Sequence, residues 1–177
     1  EDIPRAAAMG ADCLAVSFPR NADDMHEARR RLRAAGSDAR LVAKIERTEA
    51  ITNLEEIIAA SDAILIARGD LGVEIGDAEL PGLQKLITRK SLEQNRLVIT
   101  ATQMMQSMVE SPIPTRAEVL DVANSVFDGT DAVMLSAETA VGRHPQTVVE
   151  AMNRICLGAE RHDDTRPNRD YLNVQFE

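Results

Sequence analysis

Five short apolar runs punctuate the chain, at residues 13–18, 41–46, 63–68, 97–102 and 132–137. Each has the length of a strand and reads as almost continuously hydrophobic, the pattern of a strand covered on both faces. Between them the apolar residues recur at helical spacing. The segment 23–35 is closed by Gly36. In 49–60, Ile51, Leu54, Ile57 and Ile58 fall on one helical face. Further helices are expected over 80–94, over 117–127 (closed by Asp128-Gly129) and over 145–160, where Pro145 suits a first turn. Residues 3–9 read as the tail of a preceding helix. The order is a helix, then strand and helix five times. Such alternation predicts parallel strands joined by right-handed crossovers. A five-stranded doubly wound sheet and part of a (β/α)8 barrel both fit it. Residues 161–177 break the periodicity and read as a polar linker followed by a short extended segment, YLNVQF.

Polar side chains concentrate at the strand ends. Ser17 closes the first run, Lys44 and Glu46 the second, and Arg68 the third, ahead of Gly69-Asp70-Leu71-Gly72. Thr100, Thr102 and Gln103 follow the fourth, and Ser136, Glu138 and Thr139 the fifth. In parallel α/β folds the C-terminal strand ends share one face, where ligands bind. The stretch LVAKIERTEA sharpens the point. Strand side chains alternate, so Lys44 and Glu46 point the same way as Val42. Burying two charges costs several kcal/mol each unless they are paired. A structural ion pair is one explanation for them, and a functional pair at the mouth of a barrel is the other. Asp70 could equally cap a helix between turn glycines, and Met104, Met105 and Met108 fit core positions.

Composition narrows the classes. A hydrophobic fraction of 44% with only 2% aromatics means a core of Ile, Leu, Val, Ala and Met. The net charge is −9, from 20 basic and 29 acidic residues, which argues against general nucleic-acid binding. The basic run Arg29, Arg30, Arg31 and Arg33 shares its helix with Asp24 and Glu27 and reads as a solvated face. Cys13 and Cys156 have no CxxC partner and no His at zinc spacing, so both are expected to be buried, reduced thiols of a cytosolic protein. The histidines His26, His144 and His162 are scattered and expected at the surface. No apolar run is of membrane length. The first residue is Glu1, which raises the expectation of a piece of a longer protein.

The residue types at the strand ends point to a chemistry. Glu46 and Asp70 are hard oxygen donors, suited with waters and a substrate oxyanion to Mg²⁺ or Mn²⁺ rather than zinc. Lys44 adds a fixed cation beside them. Together they would neutralise charge on a phosphoryl group or an enolate. Backbone N–H groups around Gly69 and Asp70 could cradle a carboxylate or phosphate, and Thr102 would add a hydroxyl.

These segments resemble the pyruvate kinase family. The resemblance lies in AKIER followed by TEA, in ARGDLGVEI, in ITATQMMQSM, in PTRAEVLDVANSVFDGTDAVMLSAETAVG and in the opening GADCLAVSFPR, in order and spacing over residues 1–160. It implies that the chain supplies strands four to eight of a TIM (β/α)8 barrel catalytic domain over 1–160, with 161–177 leading to a further domain. It implies transfer of the phosphoryl group of phosphoenolpyruvate to ADP, giving pyruvate and ATP, with Mg²⁺ and usually K⁺. Carried over by motif, Lys44 would stabilise the transferring phosphoryl group and the enolate oxygen, and Glu46 and Asp70 would hold the metal. The Gly69 and Asp70 amides and the Thr102 hydroxyl would bind the substrate carboxylate. Thr102 would lie where the enolate is protonated, with Ser136 and Glu138 in a proton relay through water. Arg116 would lie near the subunit interface of a cytoplasmic homotetramer.

Length sets a bound on this. A complete barrel takes about 250 residues, or 200 at the low end. In the family, the first three strands, the lid domain and the C-terminal domain carry a phosphate-gripping Arg, the K⁺ ligands, much of the nucleotide site and the effector site. The chain by itself is therefore expected to be inactive and, with unpaired strand edges, to self-associate. A Mg²⁺-dependent lyase or aldolase acting on pyruvate or its enolate is the alternative reading of the same residues.

Overall fold

A computed structural model describes residues 2–162, and the expected extended segment YLNVQF lies outside them. The chain divides into two compact units, Glu1–Thr100 and Ala101–Glu177.

The first unit begins with helix α1 (Asp2–Ala8) and strand β1 (Cys13–Val16). Helix α2 (Ala22–Ala34) and strand β2 (Arg40–Ile45) follow, then two short helices, α3 (Thr48–Thr52) and α4 (Leu54–Ala60). The single helix expected over 49–60 is interrupted at Asn53, whose backbone departs from helical angles (φ −104°, ψ 22°) and whose side-chain amide donates to the Arg20 carbonyl. Strand β3 (Ala63–Ala67) leads directly into helix α5 (Arg68–Ile75), so the glycines open to a turn reading lie within a helix. Helix α6 (Leu80–Glu93) and strand β4 (Leu97–Ala101) complete the alternation.

Strands β1, β2 and β3 are parallel, with Val16 opposite Ala43 and Lys44 opposite Leu65. Strands β1 to β4 lie side by side in chain order. A doubly wound sheet reverses its strand order at a switch point, whereas a barrel does not. The sequential order favours the barrel reading.

The two faces of this sheet have different work. Leu41, Ala43 and Ile45 of β2 and Ile64 and Ile66 of β3 join one buried cluster with Met25, Ala28 and Leu32 of α2 and Leu54, Ile57 and Ile58 of α4. That is the helix-covered face, and the helical residues repeat at three- and four-residue spacing as an amphipathic stripe requires. Val42, Ala63 and Leu65 take the opposite face, and register places Lys44 among them. Cys13 and Ala15 of β1 also take that opposite face and are exposed, while Leu14 and Val16 pack toward the helices. The expectation of two buried thiols thus fails at Cys13, because its strand turns it away from the helical core. Cys156 is half-buried, and burial, aided by Glu160, pushes its thiol up.

A carboxylate ties the strand starts together. Asp62 accepts from the Leu41 amide at 2.7 Å and from the Arg29 guanidinium at 3.0 Å. One side chain thereby joins β2, the entry to β3 and α2.

The second unit contains a 3-10 turn (Gln106–Val109), helix α7 (Arg116–Phe127), strand β5 (Ala132–Met134) and helices α8 (Ala137–Ala140) and α9 (Pro145–Glu160). The fifth strand is shorter than its apolar run, because Ser136 begins α8. Its core gathers Met104, Met105 and Met108 with Val122 of α7 and Val148, Ala151, Met152 and Ile155 of α9. The three methionines are core, as expected. Thr115 and Glu118 form a capping box at the start of α7. Glu118 also accepts from the Ser107 amide at 2.6 Å and the Ser107 hydroxyl at 2.5 Å, fixing the 3-10 turn to the helix start. No helix among the described residues is long and apolar enough to cross a membrane.

Two stability outcomes follow from these clasps. Asp62→Ala leaves the Leu41 amide and Arg29 without their acceptor and is expected to cost about 1–3 kcal/mol, read as a fall in the urea midpoint. Burial pushes the Glu118 carboxyl up, but the hydrogen bonds from the Ser107 hydroxyl and amide and the Thr115 amide and hydroxyl outweigh it and hold the group below the usual carboxylate range. A lowered folded value means stability present at neutral pH and lost as pH falls through that range. Glu118→Gln should therefore lower Tm by about 2–6 °C at pH 7. The gap from the parent should close below about pH 4, under the ordinary carboxylate value. A gap that persists in acid would contradict the assignment.

Candidate active site

The C-terminal ends of β1 and β2 meet around one buried carboxylate. Glu46 is 1% exposed, and a group so buried must be partnered. Its Oε1 lies 2.5 Å from Lys44 Nζ, and its Oε2 accepts from the Phe18 amide at 2.9 Å. Lys44 keeps a second partner, donating to Ser17 Oγ at 3.1 Å, and its side chain stays 26% exposed. The pair is thus real, but neither member is the other's sole partner. The strand places them this way because residues two apart share a face.

The turn after β1 is built to present that amide. Phe18 has φ +54°, a left-handed conformation rare for a bulky residue and rarer before a proline. The Arg47 guanidinium sits over its ring, 5.8 Å from the centroid. Beyond Pro19, Asp24 accepts from the Arg20 amide at 2.9 Å and from its guanidinium at 3.1 Å, and Asn53 holds the Arg20 carbonyl at 2.8 Å. The Arg20 side chain and amide keep the Asp24 carboxyl below its usual range.

Gly69 and Asp70 lie in the first turn of α5, not in a loop. The N-cap residue is Ala67, which has no side-chain acceptor to offer the helix start. Gly69 is half-buried, and Asp70 is exposed. Helix α5 is tied to the segment just after Glu46, since Glu74 accepts from the Thr48 amide at 2.8 Å and hydroxyl at 3.1 Å. The Thr48 amide holds the Glu74 carboxyl low. Arg68 directly follows β3, as expected; it is 8% exposed, and its guanidinium reaches Gln84 of α6 at 3.4 Å.

As to a metal, the donor set is Glu46 and Asp70, both hard oxygen ligands. Among the described residues no group of three or more His, Cys, Asp or Glu is placed to hold an ion. A protein-only cage is therefore not what these residues offer. Mg²⁺ commonly takes one or two carboxylates and completes its shell with water and substrate oxygens. Glu46 uses one direction on each oxygen, and a carboxylate has about four acceptor directions. The donor chemistry fits that habit.

In the second unit, Thr102 follows β4 with φ +69°, and Gln103 has φ +53°. Consecutive left-handed residues without a glycine are a strained backbone, of order 1–3 kcal/mol each. Met104 and Met105, fully buried directly after them, anchor the segment. Ser136 takes the N-cap position of α8 without a side-chain capping bond and is half-buried, and its amide donates to Glu138 Oε2 at 2.8 Å. Arg116 is the exposed first residue of α7. Sequence reasoning missed the amide of Phe18 and the stacking of Arg47. Every non-proline residue carries an amide, so only the unusual Phe-Pro turn between a strand end and a helix start could have marked the first.

A model of the pyruvate kinase barrel domain matches residues 1–149. The chain is 58% identical over 179 residues to pyruvate kinase II of Salmonella typhimurium, covering 99% of this chain and 37% of that protein. It is 56% identical to a pyruvate kinase of Haemophilus influenzae, with the same shares covered. To a pyruvate kinase of Geobacillus stearothermophilus it is 48% identical over 161 residues, or 90% of this chain and 27% of that protein. The chain therefore spans about 37% of the length of the first two relatives. With its strands in barrel order and its Lys-Glu pair at a strand mouth, it belongs to the pyruvate kinase family.

Proposed function

We propose that the chain is the part of a pyruvate kinase that carries the metal and the phosphoryl-stabilising lysine, in an enzyme transferring the phosphoryl group of phosphoenolpyruvate to ADP. The observation that carries this reading is the Lys44–Glu46 pair, held at 2.5 Å at the end of β2 in a chain of this family. Lys44 donates to Ser17, and its side chain stays partly exposed, open to the approach of an anionic oxygen. There it neutralises charge that grows as the phosphoryl group leaves and the enolate forms. Glu46 and Asp70 are the residues that would hold Mg²⁺, which supplies Lewis-acid stabilisation of the same oxygens when bound. The Thr102 hydroxyl and the first-turn amides at Gly69 and Asp70 are assigned to the substrate carboxylate. Thr102 is further assigned to the place where the enolate is protonated, and Ser136 to the proton path. Arg116, exposed at the start of α7, is assigned to subunit contact in a cytoplasmic homotetramer. K⁺ is assigned to residues outside this chain. The lyase or aldolase alternative has no observation in its favour.

Three outcomes test the reading. Lys44→Met, in a full-length polypeptide carrying this segment, is expected to lower kcat by about 100-fold or more, measured by pyruvate release. It also leaves Glu46 short of its cation, at a cost of about 2 kcal/mol. The double variant Lys44→Met/Glu46→Gln should recover stability but not activity. Recovery of both would show that the pair is only structural. Asp70→Asn should raise the Mg²⁺ concentration for half-maximal rate by about tenfold or more with little change in Tm. An unchanged Mg²⁺ dependence would remove Asp70 from the metal site. The 177-residue chain alone should give no Mg²⁺-dependent pyruvate above its own Lys44→Met control.

A further inference from the structure

Glu138 is buried as deeply as Glu46, at 1% exposure, yet among the described residues of its unit no cation is paired with it. Its partners are two main-chain amides from separate segments. Oε2 accepts from Ser136 at 2.8 Å, and Oε1 accepts from Met105 at 3.1 Å, across 33 positions of sequence. The first bond fixes the start of α8, where Ser136 sits. The second fixes the residue that ends the strained Thr102–Met105 bend. A third feature locks the carboxylate's own backbone. A Cβ built on Gly142 would lie 2.1 Å from the Glu138 carbonyl oxygen, so only glycine lets the chain close against α8 at that point. The same closure continues next door, where the Arg143 amide donates to Val109 at 2.9 Å.

We infer that Glu138 is a positioning residue that holds the Thr102 bend and the Ser136 turn in register, and not a carrier of the reaction's proton. A proton on either oxygen would weaken one of the two amide bonds that join the segments. A relay group must gain and lose its proton in every turnover, whereas this group's geometry is that of a fixed acceptor. The inference deepens the pyruvate kinase reading and rests on it for the work of Thr102 and Ser136, but the clasp itself is a property of the fold.

The test uses the full-length polypeptide carrying this segment. In the parent protein, the Met105 and Ser136 amides should be among the slowly exchanging ones by residue-resolved hydrogen exchange. Fast exchange at either would overturn the inference without any variant. E138Q keeps one acceptor oxygen and sets an NH2 group against the other amide, so one of the two joins is lost and the segments lose their register. ATP formation from phosphoenolpyruvate and ADP should fall by the same factor as exchange of the pyruvate methyl protons with solvent, about tenfold to a hundredfold. KM for phosphoenolpyruvate should rise with it. E138D retains a carboxylate but is too short to reach both amides, and it should behave like E138Q. It is also the variant to read if E138Q does not fold. Loss of methyl exchange with ATP formation preserved, or restoration of methyl exchange by E138D, would identify a proton carrier and overturn the inference. If the parent protein makes no ATP, the kinase reading fails, while amide exchange still decides the clasp.

Discussion

A carboxylate withdrawn from water governs this structure. Glu46 sits at the end of β2 where almost none of it meets solvent. Leaving such a charge unpartnered would cost several kcal/mol, a sizeable share of a domain's whole stability. The chain answers from two sides, with a lysine two residues earlier and an amide from the turn after the neighbouring strand. Each answer imposes a further condition. The lysine must share the strand's non-helical face, and the amide must be aimed by a left-handed phenylalanine. That turn in turn needs Asp24 and Asn53 to hold it. One buried charge thus fixes the register of β1 and β2 and the course of the chain between them.

The division of the sheet into two faces explains how charges can be placed at all. On β2 and β3 the odd and even positions separate cleanly, one set into the helical core and the other onto the opposite side. Apolar residues fill the lower part of that opposite side, and the polar ones arrive only at the strand ends. A charge one residue earlier would enter the helical core. The same logic makes the sequential strand order consequential, because neighbouring ends in chain order can then pool their groups.

Much of this was legible in the sequence. All five strands and the long helices follow from apolar runs and three- and four-residue spacing. Pro145 and the Asp128-Gly129 stop mark helix ends correctly. The AKIER pair was legible as a conflict between strand pattern and charge. Helix α5 was not, because glycines at 69 and 72 disguise a helix held by its neighbours rather than by propensity. The break at Asn53 was hidden for the opposite reason, since the apolar spacing runs through it unbroken. Cys13 was misread because an apolar run does not tell which of a strand's faces is packed. The clasp at Glu138 joins residues 33 positions apart through main-chain groups, and main-chain groups leave no compositional mark.

The second core is unusual in what fills it. Where aliphatic branched residues dominate the first core, Met104, Met105, Met108 and Met152 occupy the second. Thioethers are flexible enough to pack against an irregular, strained bend that stiffer side chains would leave with gaps. That adaptability carries a chemical liability. Each sulfur can be oxidised to a polar sulfoxide, and in a closed core that is prevented only by the packing itself. Partial opening of this unit would therefore expose several oxidisable groups at once. Oxidant damage would then accumulate in proportion to how often the unit opens, and the methionines would record its breathing.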